Sequence, residues 1–425
     1  MKKNAIVIGS GISGLSISRM LQDKFAVTIL EKADQTGGLI KCRRINGNLF
    51  HLVGGHVFNS KNQAVLEWFW SYFDREKEFL KTVRNAKIFL DDRFVGYPIE
   101  NFIYQLSEEN IQCIIKDLLQ IAATQTDPAG KNNFEFFLKE SFGQTLYDIY
   151  FGPYNAKLWN TDLKSIPLDW LDGKLPMPNI SDILISNIRK KTEEKMVHST
   201  FYYPVRDGSQ FIINRLAEGL DIHLSYEITS IEYNNGILSV NKGDRSSDCL
   251  IYCGDVRKLH SIIHIADKAL SNALEAVKDL RSNGTSNVLC ETDDTDISWL
   301  YLPEKKFAAH RIIYTGNFSS TNNEGTKRKT CVVEFTGKKD KDDMLEEIKR
   351  LPGNLSALEF NFEPDSYIIH QNDTRQKIQT LQTQLAKYNI FLLGRFAEWE
   401  YYNMDKCIES AMELTDVLSK QETER

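Results

Sequence analysis

Residues 4–15 read Asn4-Ala5-Ile6-Val7-Ile8-Gly9-Ser10-Gly11-Ile12-Ser13-Gly14-Leu15. The apolar run through Ile8 predicts a short buried strand. The glycines follow a G-x-G-x-x-G pattern, and Leu15, Ile17, Met20 and Leu21 continue at helical spacing. A second apolar run, Ala26 to Leu30, predicts a second strand ending at Glu31 and Lys32. Strand, turn, helix and strand in about thirty residues make a βαβ unit. Gly9 permits the tight turn, Gly11 lets backbone approach a pyrophosphate, and Gly14 lets helix and strand pack closely. The helix opening at Ile12 and Ser13 offers unpaired N–H groups to phosphate. Glu31 stands where a carboxylate accepts from ribose hydroxyls, and an acid there argues against a 2′-phosphate. The plain alternative is a glycine turn without a ligand; the order strand, glycines, helix, strand, acid speaks against it.

The rest of the chain sets limits. Its 425 residues allow two or three domains, and 42% hydrophobic with 26% charged residues is ordinary for a globular protein. A net charge of −6 leaves no broad basic field for nucleic acid or an anionic membrane, so any anion site is local. Seven scattered cysteines without a CxxC pair point to neither a zinc ribbon nor a disulfide framework. No metal site is expected, and reduced thiols suit a cytoplasmic protein. The start at Met1-Lys2-Lys3 reads as a strand entering a turn rather than a signal peptide, and no run of about 18 apolar residues predicts a membrane span.

Further on, residues 62–171 read mostly helical, including the aromatic stretch 64–80 and residues 109–123. A strand pair near 84–97 interrupts them, with Asp91-Asp92 as its turn. A helix at 209–219 precedes strands near 222–225, 228–233 and 236–241, the last two joined by Asn234-Asn235-Gly236. Cys249 to Cys253 is another buried strand. Strands dominate 285–370, with 319–329 a polar, mobile loop. Strand Ile390 to Leu393, Gly394, a loop and a helix over 405–419 end the chain. The expected fold is α/β: a doubly wound, Rossmann-like FAD-binding domain from residues 1–65, 200–256 and 386–425. A helical insertion (98–199) and a mostly antiparallel substrate sheet (66–97 and 257–385) complete it. FAD rather than NAD is suggested by Gly37-Gly38 and then Arg43-Arg44, since a second glycine pair lets another backbone segment reach a cofactor.

Val7 through Gly14, with Glu31-Lys32 and Gly37-Gly38, resembles the FAD fingerprint of the flavin amine oxidase and protoporphyrinogen oxidase superfamily. Later patches resemble the UDP-galactopyranose mutase family specifically. Gly54-Gly55-His56-Val57-Phe58 is similar to its Gly-x-His-x-Phe segment near the flavin. Tyr147 and the run Gly152 to Trp159 resemble its helix at the uridine end of the substrate. Arg311 resembles an arginine that binds diphosphate. Gly394-Arg395-Phe396-Ala397-Glu398 with Tyr401-Tyr402-Asn403-Met404-Asp405 resembles its C-terminal signature. The resemblance implies cofactor contacts from Gly9, Gly11, Ile12, Ser13, Gly14, Glu31, Lys32, Gly38, Gly55, His56, Gly394, Arg395, Asn403 and Met404. It implies catalytic roles for Arg311, His56, Tyr401 and Tyr402, and substrate contacts from Tyr154, Trp159, Lys174, Arg311 and Tyr401.

There are departures. The family's Arg-x-Pro-Val-Arg loop reads Lys174-Leu175-Pro176-Met177-Pro178, so one of two clamping arginines is replaced by Pro178. Asn403 stands for an acid, and Phe335 for a tyrosine. Trp299-Leu300-Tyr301-Leu302-Pro303 looks more like oxidase-like relatives from surface-polysaccharide pathways. In the mutases the flavin N5, when reduced, attacks an anomeric carbon and expels UDP. The resemblance therefore implies a flavoenzyme acting on a nucleotide-activated sugar. An FAD-dependent oxidoreductase and a non-catalytic flavin-holding partner are the alternatives, and a homodimer is the assembly to consider. Plain readings stand beside each residue. Arg311 suits a strand salt bridge, Arg395 a helix-flanking one, and His56 a core histidine. Tyr154 and Trp159 suit core packing as well as a uracil sandwich. One of Tyr401 and Tyr402 is expected to pack inside, while Lys174 or Lys157 is a candidate to replace the lost arginine.

Overall fold

Strand β1 (Lys3–Ile8), helix α1 (Ile12–Leu21) and strand β2 (Phe25–Leu30) form the opening unit. The computed structural model describes residues 2–124, 133–168, 179–190 and 200–423. β1 sits mid-sheet in the order Ile390–Leu392, Cys249–Tyr252, β1, β2, Asp221–His223, every pair parallel. A parallel sheet needs helices on both faces. Side chains alternate accordingly. Ala5 and Val7 pack against α1, helix Ser209–Ala217 and helix Met404–Thr423. Ile6 and Ile8 pack against helices Lys268–Val277 and Thr374–Ala386. Each such side chain contributes about 1.5–3 kcal/mol when fully buried, so the sheet holds the glycine turn on a rigid base.

A second sheet has the order Ser356–Ile369, Arg281–Thr292, Lys329–Thr336, Ala309–Ile313, Trp299–Tyr301, Ala86–Leu90, Arg93–Gly96. Its pairs are antiparallel except Trp299–Tyr301 with Ala86–Leu90. One face carries Leu300, Ile312, Val333 and Phe335 into a core of its own. The opposite face carries Trp299, Tyr301, Arg311 and Tyr367 toward the first sheet. Helices Glu108–Thr124, Phe134–Phe142 and Gly152–Trp159 cover one end, the last preceded by a π-helical turn over Tyr147–Phe151. Among the described residues no helix is long and apolar enough to cross a membrane.

Local expectations met different fates. Asp91 and Asp92 both take positive φ (51° and 55°) between paired strands, as a type I′ hairpin requires. Asn235 and Gly236 do the same between Ile231–Asn234 and Ile237–Val240. The aromatic stretch 64–80 is not one helix. It stops after Gln63–Trp70, and Phe79–Val83 pairs as a strand with Thr200–Pro204. Asp74 Oδ1 accepts from the backbone N–H of Glu76 and Lys77, a turn that competes with helix. Phe69 stacks on Phe58 with ring centroids 3.6 Å apart, so the aromatics serve a tertiary core rather than a helical stripe. The polar 319–329 segment is tied down rather than loose. Asn322 is buried and donates to Thr315 O and the Tyr203 hydroxyl, Thr321 O accepts from Arg44, and Gly325 N donates to Asn48 Oδ1.

Candidate functional site

The two sheets enclose a cavity of about 1030 Å³, which runs from the glycine turn to the face of the seven-stranded sheet. That is at the upper end of the range for ligand pockets, roughly 300–1,000 Å³. At the first end, Gly11 precedes α1 as its N-cap and offers no side-chain cap, leaving the N-terminal N–H groups for a ligand. A Cβ on Gly14 would lie 2.0 Å from Gly9 O, so only glycine lets helix and turn close. Gly38 approaches Gly11 so nearly that a Cβ on it would sit 3.3 Å from the Gly11 Cα. Two backbone segments therefore border one narrow channel. Glu31 is buried; its Oε2 accepts from the N–H and hydroxyl of Ser10 at 2.7 and 2.8 Å, and Oε1 from Ala33 N at 2.9 Å. A carboxylate has about four acceptor positions. Three are used in holding the loop, which leaves one on Oε1 for a ribose hydroxyl. Ile12, Ser13 and Lys32 line the same end.

In the middle, Gly55, His56, Arg395, Asn403 and Met404 line the wall. Gly394 lies outside it. A Cβ there would come 2.5 Å from Ser13 Oγ, so its part is to let the 390s loop lie against α1. Arg395 donates to the carbonyls of Tyr402 (2.9 and 2.6 Å) and Ser366 (3.1 Å) and covers the Tyr401 ring at 4.5 Å. It is not the helix-flanking ion pair of its plain reading. His56 Nε2 is buried with no hydrogen-bond partner, an orphaned atom of the kind a bound polar group satisfies. Burial, and then the Arg395 and Arg311 charges, hold its imidazole down to about 4, so it is neutral at pH 7. Behind the wall, burial holds His51 down to about 3, with its Nε2 2.7 Å from the Tyr203 hydroxyl.

These histidines make the fold acid-sensitive. In the unfolded chain both take a proton near pH 6.5; folded, they refuse it until about pH 4 and 3. Between pH 6.5 and 4 the unfolded state binds more protons, so stability falls as pH falls. At pH 5 the loss is on the order of 2 kcal/mol for each histidine. Glu100 and Glu398, pushed up to about 7 by burial, act in the opposite sense over the same range, so the histidine share is read by difference. In urea unfolding of flavin-free protein, His51→Gln should lose about 2 kcal/mol less stability than the parent between pH 7 and pH 5, and an identical pH dependence in the two proteins would refute it.

At the far end the sheet places Arg311 opposite Tyr301 on one side and Glu334 on the other. A bulge between Ala309 and Arg311 inserts His310 as an extra residue, so two side chains converge on Glu334. Arg311 donates to Glu334 Oε2 through Nε (2.9 Å) and Nη2 (2.7 Å), and to the Tyr367 hydroxyl at 2.8 Å. Tyr367 in turn donates to Glu334 Oε1 at 3.0 Å, and His310 Nε2 lies 3.3 Å from that oxygen. Glu334 is fully buried, and Arg311 holds its carboxyl well below the usual range despite the burial. Arg311 is thus both salt-bridged, as the plain reading had it, and on the cavity wall.

Tyr401 and Tyr402 both line the cavity half-buried, so neither is the fully packed member expected of the pair. Tyr401 stacks on Tyr367, with centroids 6.0 Å apart and planes at 13°. Tyr154 and Trp159 stand behind the wall instead. Tyr154 is buried parallel to Tyr150, and Trp159 meets Tyr367 and Tyr401 edge-on. Lys157 does not replace the lost arginine. Its Nζ has three donors and lies within hydrogen-bond distance of four carbonyls, those of Leu302, Glu304, Phe307 and Ala309, and burial lowers it to about 8. Lys174 and Pro178 lie outside the described residues. Sequence reasoning missed Arg84, Glu334 and Tyr367. Only Trp299 and Tyr301 carried a local signal, two aromatics at strand spacing.

Known proteins resemble this chain in sequence and fold. A model described as an NAD(P)-binding Rossmann-like domain matches residues 7–74. UDP-galactopyranose mutase of Mycoplasma genitalium (strain ATCC 33530 / DSM 19775 / NCTC 10195 / G37) is 21% identical, over 95% of this chain and 91% of that protein. dTDP-fucopyranose mutase of Escherichia coli is 22% identical over 99% of each. A crystal structure of reduced UDP-galactopyranose mutase superposes with a TM-score of 0.88 at 20% identity, covering 99% of this chain and 94% of the other. The chain shares that fold.

Proposed function

We propose that this chain, a relative of UDP-galactopyranose and dTDP-fucopyranose mutases, holds FAD and isomerises the sugar ring of a nucleotide-activated sugar. One observation carries the reading. A single cavity joins a glycine turn suited to a dinucleotide with a sheet face bearing a guanidinium and phenols. The residues fit FAD: the Gly11 and Gly38 backbones border a channel, Glu31 keeps one acceptor position open, and His56 Nε2 is an unsatisfied buried atom. When bound and reduced, FAD supplies a nucleophilic N5 toward an anomeric carbon. The protein would hold the adenosine ribose with Glu31 and the pyrophosphate with the start of α1. Neutral His56 adds no charge beside the ring system. Tyr367 and Tyr401 would orient sugar hydroxyls, and the enclosing sheets would keep water away. Free cysteines, all seven among the described residues, suit a cytoplasmic enzyme, and a homodimer is the assembly to test by light scattering.

Anaerobic, dithionite-reduced protein should interconvert pyranose and furanose forms of UDP-galactose or dTDP-fucose. The flavin band near 450 nm should stay bleached throughout, because the reaction is redox-neutral. Stoichiometric oxidation of a substrate with bleaching of the oxidised flavin would replace this reading with an oxidoreductase. Failure to bind either nucleotide would remove it.

A further inference from the structure

The three guanidinium groups on the described cavity wall differ in how their charge is spent. Arg311 is neutralised by a buried carboxylate at 2.7 Å. Arg395 has its donors on backbone carbonyls. Arg84 has neither. Its Nη2 meets the Tyr301 hydroxyl, its Nε is buried without a partner, and no carboxylate among the described residues pairs with it. Resting on the function proposed above, we infer that Arg84 binds the diphosphate of the nucleotide sugar and stands in for the arginine replaced by Pro178.

Geometry supports this. Arg84 joins strand Phe79–Val83 to strand Ala86–Leu90. The next residue is pinned, since Asn85 N donates to Ser298 Oγ at 3.0 Å and Asn85 O accepts from Ser298 N at 2.7 Å. The guanidinium lies over the rings of Tyr97 and Trp299, 5.0 and 5.2 Å from their centroids. Aromatic faces stabilise a desolvated cation without cancelling its charge. Removing a charge from water without a counter-ion is costly, so the site favours an anion that restores the balance. Tyr301 accepts from Arg84 and lies opposite Arg311 in the strand register, so the cation sits on the same wall as the Arg311 cluster. A planar fork of donors suits two adjacent phosphate oxygens.

The test is titration of flavin-loaded protein with UDP, dTDP, inorganic pyrophosphate and uridine. Arg84→Gln should weaken UDP and pyrophosphate about 10- to 100-fold while leaving uridine and flavin content unchanged. Arg84→Lys should recover part of that loss, because charge without the fork is retained. Unchanged UDP affinity in Arg84→Gln, with the parent binding UDP, would overturn the inference and leave the mutase reading standing. A parallel fall for UDP and uridine would also overturn it, since that marks a distorted pocket. A parent that binds none of the four ligands would overturn both.

Discussion

Gly14→Ala is expected to purify colourless and to take up no added FAD. The new Cβ would meet Gly9 O at 2.0 Å, with Gly9 C at 3.1 Å and Val7 Cγ1 at 3.3 Å. These are backbone and core atoms of the central strand, so α1 or the turn must move bodily. A carbonyl at that distance cannot be accommodated by a rotamer change. Flavin affinity should fall by more than about 100-fold, or roughly 3 kcal/mol, with a lowered melting temperature. Gly11→Ala separates binding from folding. Its Cβ meets only the Gly38 Cα, at 3.8 Å, an ordinary contact. Flavin-free Gly11→Ala should melt like flavin-free parent and still lose flavin, because the methyl occupies the channel meant for pyrophosphate. Measuring 450 nm absorbance and melting curves on both variants decides the matter. A yellow Gly14→Ala protein with parental melting would refute this account of the turn.

That turn was legible because its signals are local. Gly9, Gly11, Gly14 and Glu31 fall within one βαβ unit, where spacing fixes geometry. The Asp91-Asp92 and Asn235-Gly236 hairpins were legible for the same reason. The far wall was not. From sequence Arg311 reads as a diphosphate ligand or a strand-surface salt bridge, and the structure pairs it, half-buried on the cavity wall, with a fully buried carboxylate. Its partner Glu334 lies in the neighbouring strand, and their meeting depends on a one-residue bulge that no spacing rule reveals. Arg84 stands at the start of the 84–97 strand pair with no local signal of its own, and its setting is made by Tyr97 and Trp299. Tyr154 and Trp159 read from sequence as either core packing or a uracil sandwich. Aromatics at helical spacing fill a core unless a ligand claims them, and the core claims these. The 64–80 and 319–329 segments went astray because aromatic staples and side-chain bonds to remote carbonyls overrode local composition.

Removing Glu334 should reveal how the wall is balanced. Glu334→Ala leaves the Arg311 guanidinium desolvated with only the Tyr367 hydroxyl, and it should cost about 3–5 kcal/mol of stability. Replacing both, as Arg311→Met with Glu334→Leu, should recover most of that loss, because the penalty comes from an uncompensated charge rather than from a missing attraction. Urea unfolding of both variants checks the sign. Glu334→Gln keeps the shape and removes the charge. The Arg311 cation is then free to act on a ligand, so UDP should bind about 5- to 20-fold more tightly while the flavin-free protein becomes less stable. Acid should act in the same direction on stability. The folded carboxyl sits below its ordinary value, so its contribution is complete above the unfolded pKa near 4.3 and is lost as pH falls toward the folded one. The opposite binding result for Glu334→Gln, weaker UDP with intact folding, would mean that Glu334 aims Arg311 at the phosphate instead of quenching it. The division of labour between Arg84 and Arg311 would then reverse, since the aimed guanidinium would be the principal anion ligand.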